Sequence, residues 1–303
     1  MKQFRYRVFF GLALAFAAMA AHAKLTVVTT TADLAALVRA VGGTHVEVTS
    51  LTRGTQDVHF IEAKPSMIRQ LARADLFLVV GADLEIGWLQ PLLETARNAR
   101  VQPGTPGYLD LSTAVTLLEK STGPVSRAQG DVHARGNPHY WLDPRNGLPL
   151  ARAIATRLST LDGAHAEAFR ANLAAFEGQL SERLKQWQAQ LAPLRNKPVL
   201  VYHKSFVYLA DAFGFRIAAE IEPKPGIPPN AAHLQQLIQQ VETQKVGLLI
   251  MEPYYERRSA DYLHERTGIR VAVVPNSVGG APGADDYLGL FDVIARTLAD
   301  VRR

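Results

Sequence analysis

The 303-residue chain contains no cysteine. That absence excludes disulfide staples, thiolate metal sites and lipid attachment through an N-terminal cysteine. A packed core must therefore hold the fold, and any metal must be held by nitrogen and oxygen. An excess of one charge is also missing. The formal net charge is +5, and Lys2, Arg5 and Arg7 supply three of those charges within the first 23 residues, which contain no acid. Setting that segment aside leaves +2, which gives no footing for nucleic-acid binding. Long apolar runs are absent except at residues 8–19, directly behind the three cations. That run is well short of the roughly 20 residues that cross a bilayer. With Ala21-His22-Ala23 as a small-x-small cleavage site, it has the layout of a secretory signal peptide, residues 1–23, removed so that the mature chain begins at Lys24. The expectation is a soluble, exported protein without a lipid anchor, suited to a Gram-negative periplasm.

The remaining stretch of about 280 residues is long enough to bury one sizeable core or two smaller ones. Short β-branched runs alternate in it with amphipathic stretches. The pattern predicts strands over 25–30, 46–51 and 76–80 and helices over 33–41 and 65–74. A polar stretch over 121–138, containing Gly and Pro, reads as a loop, and 147–161 as a helix. The rhythm restarts near Pro198, with strands over 199–202, 215–221, 246–251 and 269–274. Helices over 205–213, 231–244, 256–267 and 287–301 alternate with them. Two such series predict an α/β fold of two parallel-sheet lobes, 24–163 and 192–303. Between them, over 164–191, Phe169, Leu173, Phe176, Leu180, Leu184, Trp187 and Leu191 fall on one helix face. Such a helix is roughly 40 Å long, a stiff strut between lobes rather than a hinge. The competing reading is a dimeric coiled coil, for which about three heptads is short.

Eight of the nine histidines follow the cleavage site, and three share a kind of place. His59 lies in the loop after strand 46–51, His139 lies between loop 121–138 and helix 147–161, and His203 directly ends strand 199–202. Ligands of open α/β sheets gather outside the carboxyl ends of strands. Imidazole suits zinc, and three imidazoles are a common zinc set. The separations, roughly 60 to 80 residues, match no local metal signature. Spacing alone therefore leaves open that each histidine caps a helix, bonds locally or faces solvent. His133 reads as a solvent-exposed loop residue, with an accessory or transfer ligand as the alternative. His45, His165, His233 and His264 read as surface residues. No helix carries His-Glu-x-x-His, and Glu222 is the single candidate for a general base, which weighs against a zinc hydrolase.

The sequences around these histidines carry a resemblance. They comprise Gln56-Asp57-Val58-His59 followed by Glu62-Ala63-Lys64-Pro65-Ser66, Ala74-Asp75-Leu76-Phe77 with Gly81, and Asn137-Pro138-His139-Tyr140-Trp141-Leu142-Asp143-Pro144. Tyr202-His203-Lys204-Ser205-Phe206, Glu222-Pro223-Lys224-Pro225-Gly226 and Met251-Glu252-Pro253 follow in order. Together they resemble the periplasmic metal-binding proteins of bacterial zinc and manganese ABC importers, the ZnuA/TroA-like family, over essentially the whole mature chain. The resemblance implies the metal-type periplasmic solute-binding fold and no enzymatic activity. It implies Zn2+, less readily Mn2+, as the transported ligand, and a monomer that docks on an importer permease and its ATPase. A metal-stabilised surface adhesin is the other non-enzymatic reading. His59, His139 and His203 align with the family's metal ligands. The family's fourth ligand is an acid after the last strand, whereas this chain reads Val274-Pro275-Asn276-Ser277-Val278-Gly279. Asn276, water or Glu222 is left to fill that place. Asp57 and Asp143 are candidates to bond the far ring nitrogen of an imidazole and fix its tautomer, with simple turn formation as the alternative.

Overall fold

The computed structural model describes residues 23–121, 123 and 133–301. The expected signal peptide thus lies, apart from Ala23, outside the described residues, and so does most of the first half of the expected 121–138 loop. The first sheet consists of β1 (Leu25–Thr29), β2 (Val46–Ser50), β3 (Leu76–Val79) and β4 (Tyr108–Asp110), in the order β2-β1-β3-β4. The second consists of β5 (Pro198–Val201), β6 (Arg216–Glu220), β7 (Leu248–Met251) and β8 (Arg270–Val273), in the order β6-β5-β7-β8. Every pairing is parallel. In each sheet the chain starts inside, steps to one edge and then crosses to the other side. Each therefore has a switch point between its two inner strands, β1 and β3 or β5 and β7. Helices cover both faces, so Leu76-Phe77-Leu78-Val79 in β3 is buried throughout rather than alternating.

The helices are α1 (Ala32–Gly42), α2 (Pro65–Arg73), α3 (Leu89–Ala96), α4 (Gly147–Leu161), α5 (Ala166–Leu191), α6 (Val207–Phe213), α7 (Ala231–Gln244), α8 (Arg258–Thr267) and α9 (Tyr287–Val301). Two elements, α3 and β4, were not predicted from the sequence. Pro91 in α3 reads as a breaker, yet it falls in the first turn, where its missing N–H costs no intrahelical bond. With only three residues, β4 cannot display an alternation.

Helix α5 begins two residues later than expected, after a 3-10 turn at Gly163–His165. Its apolar seam is used inside the molecule: Phe169, Phe176, Leu180, Trp187 and Leu191 are buried, and α5 packs on α1, α4 and α9. Asn172 Nδ2 donates to the Val41 carbonyl in α1 at 2.9 Å, and Trp187 Nε1 donates to Asp292 Oδ1 in α9 at 2.8 Å. Arg183 pairs with the same Asp292 carboxylate. The strut thus ties the first helix of the chain to the last. One apolar cluster runs from Val27 and Leu34 through α5 to Val199, Ile250 and Leu298. The two sheets therefore share a core. A smaller cluster, including Leu237 and Leu263, lies beneath α7 and α8.

Polar contacts close the seam between the sheets. Buried Asp33 accepts from Ser277 Oγ at 2.6 Å and from Val278 N at 2.9 Å. Trp141 Nε1 donates to the Asn276 carbonyl at 2.8 Å, and the Tyr287 hydroxyl donates to the Trp141 carbonyl at 2.9 Å. A Cβ on Gly54 would stand 2.1 Å from the Val278 carbonyl oxygen, so only glycine lets these two loops approach. Among the described residues no helix is long and apolar enough to cross a membrane.

Candidate metal centre

His203 lies two residues past the end of β5, His59 comes from the loop after β2, and His139 precedes the 3-10 turn Tyr140–Leu142. One ring nitrogen from each lies within 4.8 Å of one from each of the others. The ring centroids are 5.1 Å (His59 to His203), 5.2 Å (His59 to His139) and 5.4 Å (His139 to His203) apart.

Each ring is held from behind. His59 Nδ1 lies 2.7 Å from Asp57 Oδ1, His139 Nδ1 2.9 Å from Asn137 Oδ1, and His203 Nδ1 2.7 Å from Glu222 Oε2. Asp57 and Asn137 do this from an Asx turn: the same Oδ1 also accepts the histidine's backbone N–H, at 3.0 Å in both cases. With Nδ1 engaged as a donor, Nε2 is the nitrogen left with a lone pair for a metal. His59 Nε2 is buried without a hydrogen-bond partner, a condition that costs about 1–3 kcal/mol unless a ligand meets it. Burial, then the charges of His59 and His203, hold His139 well below the ordinary imidazole value and so in its neutral, metal-binding form. Burial pushes the Asp57 carboxyl up, but its hydrogen bond and charge interaction with His59 outweigh that and leave it below the usual value. Asp57 therefore stays ionised beside the site, a charge that complements a cation.

The family model of the periplasmic zinc-uptake complex component A, ZnuA, matches residues 27–301. The chain belongs to the ZnuA family. It is 31% identical over 163 residues to the Brucella abortus high-affinity zinc uptake system protein ZnuA, covering 54% of this chain and 49% of that protein. The chain thus spans about half the length of that relative. The protein of the same name from Yersinia pestis is 26% identical over 254 residues, 78% of each chain. A crystal structure of ZnuA superimposes with a TM-score of 0.77 at 24% identity, covering 92% of this chain and 100% of that one, and so shares the fold.

Against this ZnuA frame the remaining expected site residues divide. Glu222, expected as a possible fourth ligand, supports His203 through Oε2, which also accepts from Gly226 N at 2.9 Å. Asp143 does not hold an imidazole. Its oxygens accept from Arg145 Nε and Nη2 at 2.7–3.0 Å, a bidentate fork that a guanidinium makes better than a ring N–H. Sequence reasoning missed Asn137, which holds His139. The available signal was its position two residues before the histidine, as Asp57 is before His59. The Asn276 amide nitrogen donates to the Tyr254 hydroxyl at 2.8 Å, and its Oδ1 is buried without a partner.

His133 departs from the expected exposed loop residue. It is half-buried, lines the same cavity as His139 and His203, and lies 5.4 Å from the His59 ring, centroid to centroid. Burial, then the charges of His59 and His203, push it down to about 3. The other histidines serve local contacts away from the centre. His165 stacks on His45 at 4.0 Å and pairs with Asp162, His233 meets the Glu220 carbonyl, and His264 meets that of Ile269.

Proposed function

We propose that this chain is a periplasmic solute-binding protein that captures one Zn2+ at His59, His139 and His203 and delivers it to the permease of an ABC importer powered by its ATPase. The observation that carries this reading is the three-imidazole cluster, each ring held through Nδ1, which leaves its Nε2 for an ion. Nitrogen donors favour zinc, whereas manganese prefers more oxygen. With its Oε2 held by His203 and Gly226, Glu222 is poorly placed to act as a general base, so the reading is capture without chemistry.

In this reading residues 1–23 are a cleaved leader, 24–163 and 192–303 are the lobes, 164–191 is the strut, and the mature protein is an unanchored monomer. His59 and His139 come from the first lobe and His203 from the second, so the ion bridges the two. The strut and the shared core restrict lobe rotation, and release follows from loosening of the loops around the ion when the protein docks. Native mass spectrometry with a competition titration tests the assignment. The expected result is one zinc per chain and weaker manganese. Tighter binding of manganese than of zinc would overturn it.

A further inference from the structure

We infer that His133 is the fourth nitrogen ligand of the bound ion, completing an all-imidazole set with His59, His139 and His203; this rests on the zinc-binding reading above. Three observations converge. The His133 ring sits 5.4 Å from the His59 ring, tilted by 33°, and lines the cavity that His139 and His203 line. Its Nε2 is buried and makes no hydrogen bond, as is true of His59 Nε2. The ring does bond the Asp83 backbone, and because Nε2 is unpaired that bond belongs to Nδ1.

His133 thus repeats the arrangement of the other three: Nδ1 held by an oxygen, Nε2 left over. That is the arrangement in which a metal-ligating histidine is oriented. The alternatives for the fourth place are poorer. Glu222 Oε2 is engaged by His203 and Gly226 N, and the Asn276 Oδ1 is an amide oxygen, better matched to harder cations than zinc.

The nitrogens of His133 are outside the trio that lies within 4.8 Å. Zinc–nitrogen bonds of about 2.0–2.1 Å in a tetrahedron set ligand atoms about 3.4 Å apart. The His133 ring must therefore draw inward, by a distance on the order of an ångström, when the ion arrives. A ligand that joins last is also the one a docking partner can remove first. With a fourth nitrogen in place of the acid, the site moves further from the oxygen-rich sets that suit manganese.

X-ray absorption of the zinc-loaded mature chain, beside chelator-competition titrations, tests this. In the wild type the spectrum should fit four imidazoles. In His133→Ala and His133→Gln it should fit three imidazoles with an oxygen replacing the fourth. Zinc affinity should fall at least about tenfold, since losing a ligand costs no less than losing its hydrogen-bond partner. The melting temperature of the metal-free variants should match that of the wild type, and His264→Ala should change nothing. Wild-type coordination and affinity in both His133 variants, while His203→Ala loses zinc, would overturn the inference and leave the zinc reading standing. A wild type that binds no zinc would remove both.

Discussion

The two sheets have the same strand order and carry different chemistry at the same place. At the first switch point Glu85 binds the ends of both inner strands: it accepts from Thr30 Oγ1 at 2.6 Å, Val80 N at 2.8 Å and Gly81 N at 3.0 Å. The crevice is filled by the protein's own carboxyl group, and this lobe's histidines arrive instead on loops, His59 after β2 and His139 before α4. At the second switch point His203 lies two residues past the end of β5, and β7 ends beside buried Glu252. Burial lifts both carboxyls. Glu85, with three donors, is raised to about 7, and Glu252, with fewer hydrogen bonds and with Glu222 and Asp57 nearby, to about 8. Sheet topology thus fixes where a site can be. Which atoms occupy the crevice decides whether the strand end or a neighbouring loop supplies the ligands.

The largest effect expected from this asymmetry concerns the ligands. His203→Ala removes the single imidazole of the trio that comes from the second lobe, and His59→Ala or His139→Ala leaves one from the first. Each should weaken zinc binding by more than about 100-fold, beyond the 10–100-fold typical for loss of a ligand's supporting residue. His165→Ala and His264→Ala should leave the competition titration unchanged. A His203→Ala protein that titrates like the wild type would mean that the second lobe contributes no ligand.

The supporting residues give an intermediate effect. Asn137 Nδ2 donates to the Lys204 carbonyl at 2.9 Å and to Glu119 Oε2 at 3.2 Å, which ties His139's support to the segment after β5. Asn137→Ala removes both that donor and the oxygen that holds His139 Nδ1. It should cost about 1–3 kcal/mol of stability and about 10–100-fold in zinc affinity. Glu222→Gln keeps an oxygen for His203 Nδ1 and should fall at the lower end of that range. Equal losses would show that the two lobes support their histidines alike.

The smallest effect separates the two buried carboxyls. Glu252 has its pKa raised from 4.5 to about 8, so the folded state favours its protonated form. Its stabilising contribution is full below about pH 4.5 and is lost as pH rises through 8. The metal-free protein should lose about 1 kcal/mol from this group between pH 7 and 8. Denaturant melts of Glu252→Gln should be flatter over that interval. An unchanged slope would mean that Glu252 is ionised in the fold at neutral pH.

Much of this was legible in the chain. The strand and helix series followed from periodicity, because each element is covered by its own neighbours, and α7 and α9 have the bounds that the pattern predicts. The segments carrying His59, His139 and His203 were marked by their local sequences. What could not be read was which of several possible partners each side chain takes in the folded chain. Asp143 and Asn137 both flank His139 and are both plausible supports on paper. Arg145 captures the first and the Asx turn uses the second, a choice made by side-chain reach in the folded loop. In the sequence, Glu222 and His203 lie on opposite sides of α6 and β6; parallel pairing of β5 and β6 brings them to one edge. His133 belongs to a polar stretch without periodicity, so its burial against His59 was decided only when the β2 loop and the Asp83 turn packed beside it. The sequence by itself determined the elements and their alternation, which depend on local spacing, and marked the three segments that carry His59, His139 and His203 by their resemblance to a family. The shared core, the Glu222 support behind His203 and the place of His133 beside His59 were decided by tertiary packing, because each is a contact between residues that only the folded chain brings together.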